Sequence, residues 1–485
     1  MSKVVLLRDR AFIAGQWIET DARVDVLDPA SGERVASVPQ CGVDEVSAAV
    51  DAAVPAWADW RARPAKARAE PLHRMAQAMM EREEELATLI TREQGKPLQE
   101  ARAEIAYSAS FLTWFAEEAR RNYGETIPAP AADRRILVLR QAVGVGAAIT
   151  PWNFPSAMIT RKLGPALAVG CPLILKPAEA TPLSALALAA LAEEAGLPSG
   201  LFSVLTGDRE AADVLGRALL ADPRVRKLSF TGSTVVGKKL LAASAATIKR
   251  VSLELGGNAP FIVLDDADVD AAVRGCLVAK FRNAGQTCVA ANRILVQDGI
   301  YDRFRDALGA AIANLEVGPG LQPGVDIGPL IDRRAYEKVN GLVEDAMSQG
   351  AHPSFRSDQA GQAPQGSTFF VPTLLEGVTP EMRIAQDEVF GPVAPLTRFG
   401  SDEEAIALAN HTKSGLIAYL YGRDLSRLVR VYESLETGMV GVNTGLVSTA
   451  EAPFGGWKES GLGREGSRHG LEEWTELKTV TVALG

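Results

Sequence analysis

Between about 143 and 257 the chain alternates short apolar, β-branched runs (VGVGAAIT, PLILK, LFSVLTG, RKLSFTG, RVSLELGG) with Ala/Leu-rich stretches of helical period near 156–169, 182–195, 208–220 and 234–246. This alternation constrains the fold more than any other feature. A strand that feeds a helix before the next strand returns parallel to the first, and a sheet built that way carries helices on both faces. An α/β fold is therefore expected, with ligands beyond the carboxyl ends of the strands. Three loops occupy those positions: TPWNFP, KPAEATP and TGSTVVG.

A second α/β stretch runs from 259 to about 454, with strands at APFIVLDD, NRILVQD, APLTRF and LIAYLY and helices at 267–284, 301–315, 334–349, 402–410 and 424–436. Ahead of both lie a strand-like lead-in, AFIAGQWIE, and three helical patterns at 43–60, 65–94 and 98–123, the second ending at Gly95. The segment RRILVLRQ (134–141) and the terminal LKTVTVAL alternate like exposed strands without local partners, so they are expected to pair with another subunit. The polar stretch 357–366 reads as a surface loop.

Composition excludes several classes. With 51 Lys+Arg against 60 Asp+Glu, interspersed, the net charge is −9 and no basic stripe offers itself to nucleic acid. The opening MSKVVLLRDR has too short an apolar run for a signal peptide, and no stretch approaches the ~20 apolar residues of a membrane span, so neither export nor membrane association is expected. Four separated cysteines, without a CxxC pair or a His cluster, suggest neither disulfides nor a metal site and fit a cytoplasmic protein.

Of these cysteines, Cys41, Cys171 and Cys276 read as small buried hydrophobes. Cys288 differs: it follows Asn283, Gln286 and Thr287 in FRNAGQTCVAANR, a polar setting beside the flexible Gly285. A thiol with a pKa of ~8.5 needs a base or a positive field to act as a nucleophile. None of the four histidines has a neighbourhood suited to that task. Glu254, at the end of an apolar strand between Leu253 and Leu255, is either a strand-end partner for a cation or a buried carboxylate raised toward general-base duty. Asn153 in TPWNFP either closes a turn or offers its amide, with the Cys288 N–H, to an oxyanion. Gly232 and Ser233 lead from a strand into a helix, with Gly237 one turn inside, an arrangement that turns free N–H groups toward an anion. Lys176 and Glu179 at another strand end are either a solvated pair or a ribose-reading pair.

The motifs TPWNFP, LKPAEATP, SFTGS, LELGGNAP, GQTC, DEVFGP and PFGGWKESGLGRE, in this order across nearly the whole chain, resemble the aldehyde dehydrogenase superfamily, and chance agreement of so many is negligible. The longer runs ITRKLGPALAVGCPLILKP, VSLELGGNAPFIV and KFRNAGQTCVAANR look like the bacterial-type succinate-semialdehyde dehydrogenases. The ordinary GxGxxG fingerprint is absent. The resemblance implies an atypical Rossmann NAD(P)-binding domain (1–123 and 143–257), an α/β catalytic domain (258–455) and a small β oligomerisation arm (124–142 and 456–485), in a homodimer or homotetramer.

The resemblance also implies residue roles. Cys288 would attack the aldehyde, Asn153 would hold the oxyanion, and Glu254 would activate water against the thioester. Trp152, Lys176, Glu179, Gly232, Ser233, Glu388 and Phe390 would contact NAD or NADP, while Arg161, Arg282 and Ser448 would hold a distal substrate carboxylate. Two departures count. Ala290 stands where relatives with a redox switch carry a second cysteine, and Glu179 stands where NADP-preferring relatives carry a small residue, which favours NAD with dual use open. The expected reaction is oxidation of succinate semialdehyde, with glutarate semialdehyde or another aldehyde as the alternative. Acyl transfer to coenzyme A would leave Glu254 without a task, and a non-catalytic scaffold would not need Cys288, Glu254 and Asn153 together.

Overall fold

A computed structural model describes residues 6–357 and 367–484, so all but Ser357 of the expected 357–366 loop lies outside the described residues. The alternating region forms an eight-stranded sheet in the order Gln16–Ile18, Ala11–Ile13, Phe202–Val204, Leu173–Lys176, Val145–Ile149, Val225–Thr231, Arg250–Glu254, Gly461–Leu462. Its five central strands are parallel, and the lead-in hairpin and Gly461–Leu462 close the edges antiparallel. From Val145–Ile149 the chain first steps one way, to Leu173–Lys176, and later the other way, to Val225–Thr231. That reversal is the switch point at which doubly wound sheets bind ligands. The register aligns Ile149 with Lys176 and with Phe230, and Thr231 with Glu254, so the loops read from sequence emerge along one edge.

The second unit is a seven-stranded sheet in the order His352–Arg356, Thr373–Glu376, Val393–Phe399, Ala291–Gln297, Ala259–Val263, Ile417–Tyr421, Met439–Val442, parallel except at its first pair. Its strands are buried runs such as APFIV and IAYLY, as a sheet covered on both faces requires. The helical layer packs over the first sheet. Pro182–Glu194 is apolar all round because it is enclosed on all sides in that core.

Two expectations need correction. The pattern at 65–94 is two helices, Ala65–Glu81 and Glu83–Gln94, broken at Arg82 (φ −124°, ψ 25°). No Gly or Pro marks the break, and the buried Arg82 guanidinium there meets Glu85 at 2.9 Å and Glu194 at 3.5 Å, a tertiary arrangement that local pattern does not reveal. The two solitary strands also find a partner within the chain. Arg134–Ala142 and Thr475–Ala483 pair antiparallel with each other along their whole length, and Glu125–Ile127 adds a third strand. Of the terminal segment 456–485, Gly461–Leu462 extends the first sheet and Thr475–Ala483 enters this arm.

Close packing around helix Val269–Phe281 is testable at one glycine. A Cβ on Gly275 would overlap the Tyr421 hydroxyl, whereas one on Gly341, in helix Arg333–Ser348, would meet nothing within 4 Å. Gly275→Ala should cost about 1–3 kcal/mol and lower Tm by several degrees. Gly341→Ala should hold or raise Tm, by up to ~1 kcal/mol of helix propensity. Thermal unfolding of both variants at one scan rate checks this, and equal Tm values would contradict the packing.

Candidate active site

The ends of the two sheets enclose a cavity of ≈ 660 Å³ whose lining brings together Cys288, Glu254, Asn153, Arg161, Arg282 and Ser448. Trp152, Gly232, Ser233, Glu388 and Phe390 line it as well, whereas Lys176 and Glu179 are not among its lining residues.

Cys288 is presented by an unusual turn. Helix Val269–Phe281 ends, and Asn283 (φ +53°), Ala284 (φ +55°) and Gly285 (φ +73°) follow in succession in the left-handed region. That conformation costs an Asn or Ala roughly 1–2 kcal/mol and persists only where surroundings enforce it. The Asn283 N–H donates to Glu100 Oε2 at 2.8 Å, its side-chain oxygen accepts from Gln94 Nε2 at 3.0 Å, and its carbonyl accepts from Gln286 Nε2 at 3.1 Å. Beyond the thiol, the Tyr419 hydroxyl donates to the Val289 carbonyl at 2.8 Å. Gly257 lies beneath the Cys288 carbonyl, where any Cβ would collide.

Burial pushes the Cys288 thiol up to about 12, with Arg161 and Arg282 favouring the thiolate and Glu388 and Glu254 opposing it. The side chain is nonetheless partly open to the cavity.

The Asn153 amide donates one hydrogen to the Gln286 carbonyl at 2.9 Å, leaving the second for a ligand. Among the described residues the Cys288 N–H has no backbone or side-chain acceptor. The Asn153 carbonyl is fixed from two sides, by Lys96 Nζ at 2.7 Å and Asn283 Nδ2 at 3.0 Å.

Glu254 ends strand Arg250–Glu254 and is 3% exposed, and neither of its carboxylate oxygens has a hydrogen-bond partner among the described residues. Burial, reinforced by the neighbouring Glu465, holds its pKa well above the ordinary carboxylate range, against the pull of Arg161 and Lys162. Glu465 is equally buried, but the Lys162 ammonium that bonds it and the Arg161 guanidinium outweigh the burial and keep it ionised. Sequence reading missed Glu465, although it lies within the GREGS run. Nothing in local composition links it to Glu254.

Arg161 is engaged on one side only: its Nε lies 3.1 Å from Glu465 Oε2 and its guanidinium rests 4.0 Å from the Phe454 ring centre. Its Nη2 is buried and unpartnered among the described residues. Arg282 lies over Phe154 at 5.5 Å, and Tyr107, unmarked in the sequence, joins this end of the cavity beside Ser448.

The Gly232 N–H donates to the Glu254 carbonyl at 3.0 Å, so it is not among the free donors expected there. Ser233 caps helix Thr234–Ser244, and Gly237 allows that helix to press on Leu255. Lys176 is buried 3.5 Å from the half-exposed Glu179. Glu388 Oε1 accepts the Gly257 N–H at 3.0 Å, and burial raises its pKa. Asn258 and Asn292 clamp this loop: Asn258 donates to the carbonyls of Ala385 and Gln386, and Asn292 accepts from the Val389 N–H at 2.9 Å. Phe390, left-handed at φ +55°, meets Trp152 edge-on with ring centres 5.6 Å apart.

Exposure separates the thiols. Burial raises Cys41 and Cys171 to about 11 and Cys276 to about 12, no further than Cys288, but those three are closed to solvent whereas Cys288 is partly open to the cavity. Iodoacetamide should therefore alkylate Cys288 alone in the folded protein, with peptide mass spectrometry as the readout. Comparable labelling of any other cysteine would contradict this arrangement.

The model of the aldehyde dehydrogenase family matches residues 17–480. The chain is 54% identical to a succinate-semialdehyde dehydrogenase [NADP(+)] of Escherichia coli (strain K12), over 99% of this chain and 98% of that protein. It is 55% identical to a glutarate-semialdehyde dehydrogenase of Pseudomonas aeruginosa, over 98% and 97%. The crystal structure of succinate-semialdehyde dehydrogenase from Burkholderia pseudomallei superposes with a TM-score of 0.96 at 52% identity, covering 100% of this chain and 99% of that one. The left-handed thiol loop, the unpartnered Glu254 and the half-committed Asn153 amide thus sit in a chain that is like these enzymes from end to end, and it belongs to the aldehyde dehydrogenase family.

Proposed function

We propose that the chain oxidises a short aldehyde carrying a distal carboxylate, succinate semialdehyde first and glutarate semialdehyde second, to the corresponding diacid. One observation carries this reading: a thiol, an amide with a spare hydrogen, a carboxylate with two unpartnered oxygens and two arginines line the same cavity. The Cys288 thiol releases its proton to solvent in the open cavity as Sγ attacks the carbonyl carbon, and the new oxyanion is held by Asn153 Nδ2 and the Cys288 N–H. Glu254, ionised, takes a proton from the water that attacks the resulting thioester. Its availability favours hydrolysis over transfer to coenzyme A.

The donor set fits a nicotinamide dinucleotide: the N-terminus of helix Thr234–Ser244 suits a pyrophosphate, and Glu179 and Glu388 suit ribose diols. Bound there, that coenzyme supplies the acceptor for the hydride leaving the substrate carbon. Glu179 repels a 2′-phosphate and favours NAD, while Lys176 at 3.5 Å offsets part of the repulsion and keeps NADP usable. The reading also includes assembly into a homodimer or homotetramer through the exposed arm and a cytoplasmic location. Coenzyme reduction, followed by absorbance with NAD or NADP and a panel of ω-carboxy and neutral aldehydes, tests it directly, and activity confined to neutral aldehydes would sink the substrate assignment.

Arg282→Ala should lower kcat/KM for succinate semialdehyde by roughly 10²-fold, the ~2–3 kcal/mol of a charge-assisted bond, and leave butanal nearly unchanged. Arg161→Ala should lower both, because it also strips Glu465 of a partner beside Glu254. A parallel fall for both aldehydes in Arg282→Ala would show a structural role.

Glu254→Gln should give a burst of about one reduced coenzyme per site and then slow turnover, since only the hydrolytic step needs the base. In the wild type, the hydrolysis-limited kcat should rise with pH as Glu254 ionises, with a midpoint above the ~4.3 of an ordinary Glu because its pKa is raised. A midpoint at or below the ordinary value, or equal loss of burst and steady state in the variant, would remove Glu254 from that step.

A further inference from the structure

One buried pair of charges touches the supports of both ends of the cavity. Lys96 Nζ donates to Glu104 Oε2 at 2.6 Å and to the Asn153 carbonyl at 2.7 Å, and it lies 3.9 Å from the Phe154 ring centre. The other Glu104 oxygen accepts from the N–H groups of Ser156 at 2.9 Å and Ala157 at 3.2 Å. These begin helix Ala157–Val169, which has no side-chain cap of its own, and Arg161 stands one turn further along it. Both charged side chains are 0% exposed. Burying an ion pair this deeply is weak evidence for stability, because apolar residues of similar volume often serve as well or better. The pair's position between two functional ends therefore calls for another reason.

We propose that Lys96 and Glu104 set the distance between Asn153 and Arg161 and so act as positioning residues that determine aldehyde chain length. The inference rests on the reading above, in which Asn153 holds the carbonyl oxygen and Arg161 helps to hold the far carboxylate. Only residues 154–156 connect Asn153 to the helix, and the pair grips that turn at both ends: Lys96 at the Asn153 carbonyl, Glu104 at the first helical donors. One residue of helix advances 1.5 Å, close to the reach of one methylene, so a small change in where the helix starts moves Arg161 by the difference between a four-carbon and a five-carbon substrate. Glu104 also shares helix Leu98–Glu118 with Tyr107, one turn on, which lines the distal end. The reacting end and the anion-reading end are thereby referred to one fixed point.

Glu104→Asp keeps the charge and shortens its reach by one carbon. The ratio of kcat/KM for succinate semialdehyde to that for glutarate semialdehyde should change by at least about fivefold, within what one methylene is worth in a fitted site. Coenzyme affinity, read from quenching of tryptophan fluorescence by NADH, should stay within about twofold. Should that variant fail to fold, Lys96→Met with Glu104→Met leaves no buried charge unpaired and should bring the ratio to within about twofold of one. An equal fall for both substrates and for butanal, with the ratio unchanged, would mark general loosening and overturn the proposal. A wild-type ratio of one would overturn it as well. Wild-type activity on neutral aldehydes only would instead overturn the functional reading beneath it.

Discussion

Asn283 is bonded through every polar group it possesses, and the active site depends on it. Its N–H reaches Glu100, its side-chain oxygen accepts from Gln94, its carbonyl accepts from Gln286, and its side-chain nitrogen reaches the Asn153 carbonyl. The helical layer, the Asn153 loop and the thiol loop are thus tied at one residue held at φ +53°. A left-handed turn of three residues has no local reason to form. It forms because the alternative would leave these buried donors and acceptors unpaired, each at a cost of about 1–3 kcal/mol. A fixed placement of the Cys288 thiol against the Asn153 amide follows from that hydrogen-bond satisfaction.

The second constraint is electrostatic. Two buried carboxylates, Glu254 and Glu465, face a shared pair of cations, Arg161 and Lys162. Two like charges this close do not both ionise at ordinary carboxylate pKa values. Glu465 takes the cations through direct contacts and is kept charged, which leaves Glu254 raised and without a partner. One carboxylate thus spends its charge on structure while its neighbour is left suited to proton transfer.

How much of this was legible in sequence depends on the range of the interaction. Strands and helices of the alternating region are read from local period, and Gly95, at φ +95° against Pro329, ends its helix where the pattern stops. The break at Arg82 has no local cause and escapes such reading. The pairing of Arg134–Ala142 with Thr475–Ala483 escapes it too, because strands so distant in the chain carry no mutual signal beyond their alternation. Tyr107, Glu465, Lys96 and Glu104 sit on ordinary amphipathic or loop sequence, and only their tertiary neighbours give them roles.

By itself the sequence determined the α/β class, the strand-end loops, the lone thiol in a polar run and the resemblance that assigns chemistry to Cys288, Asn153 and Glu254, because period and motif are properties of adjacent residues. Only the tertiary structure decided which groups are already committed. It engages the Gly232 N–H with Glu254, pairs Arg161 with Glu465, and leaves one Asn153 hydrogen and both Glu254 oxygens open. The physical reason is that burial charges every polar group for its lost water, and the partner that compensates it comes from a distant part of the chain.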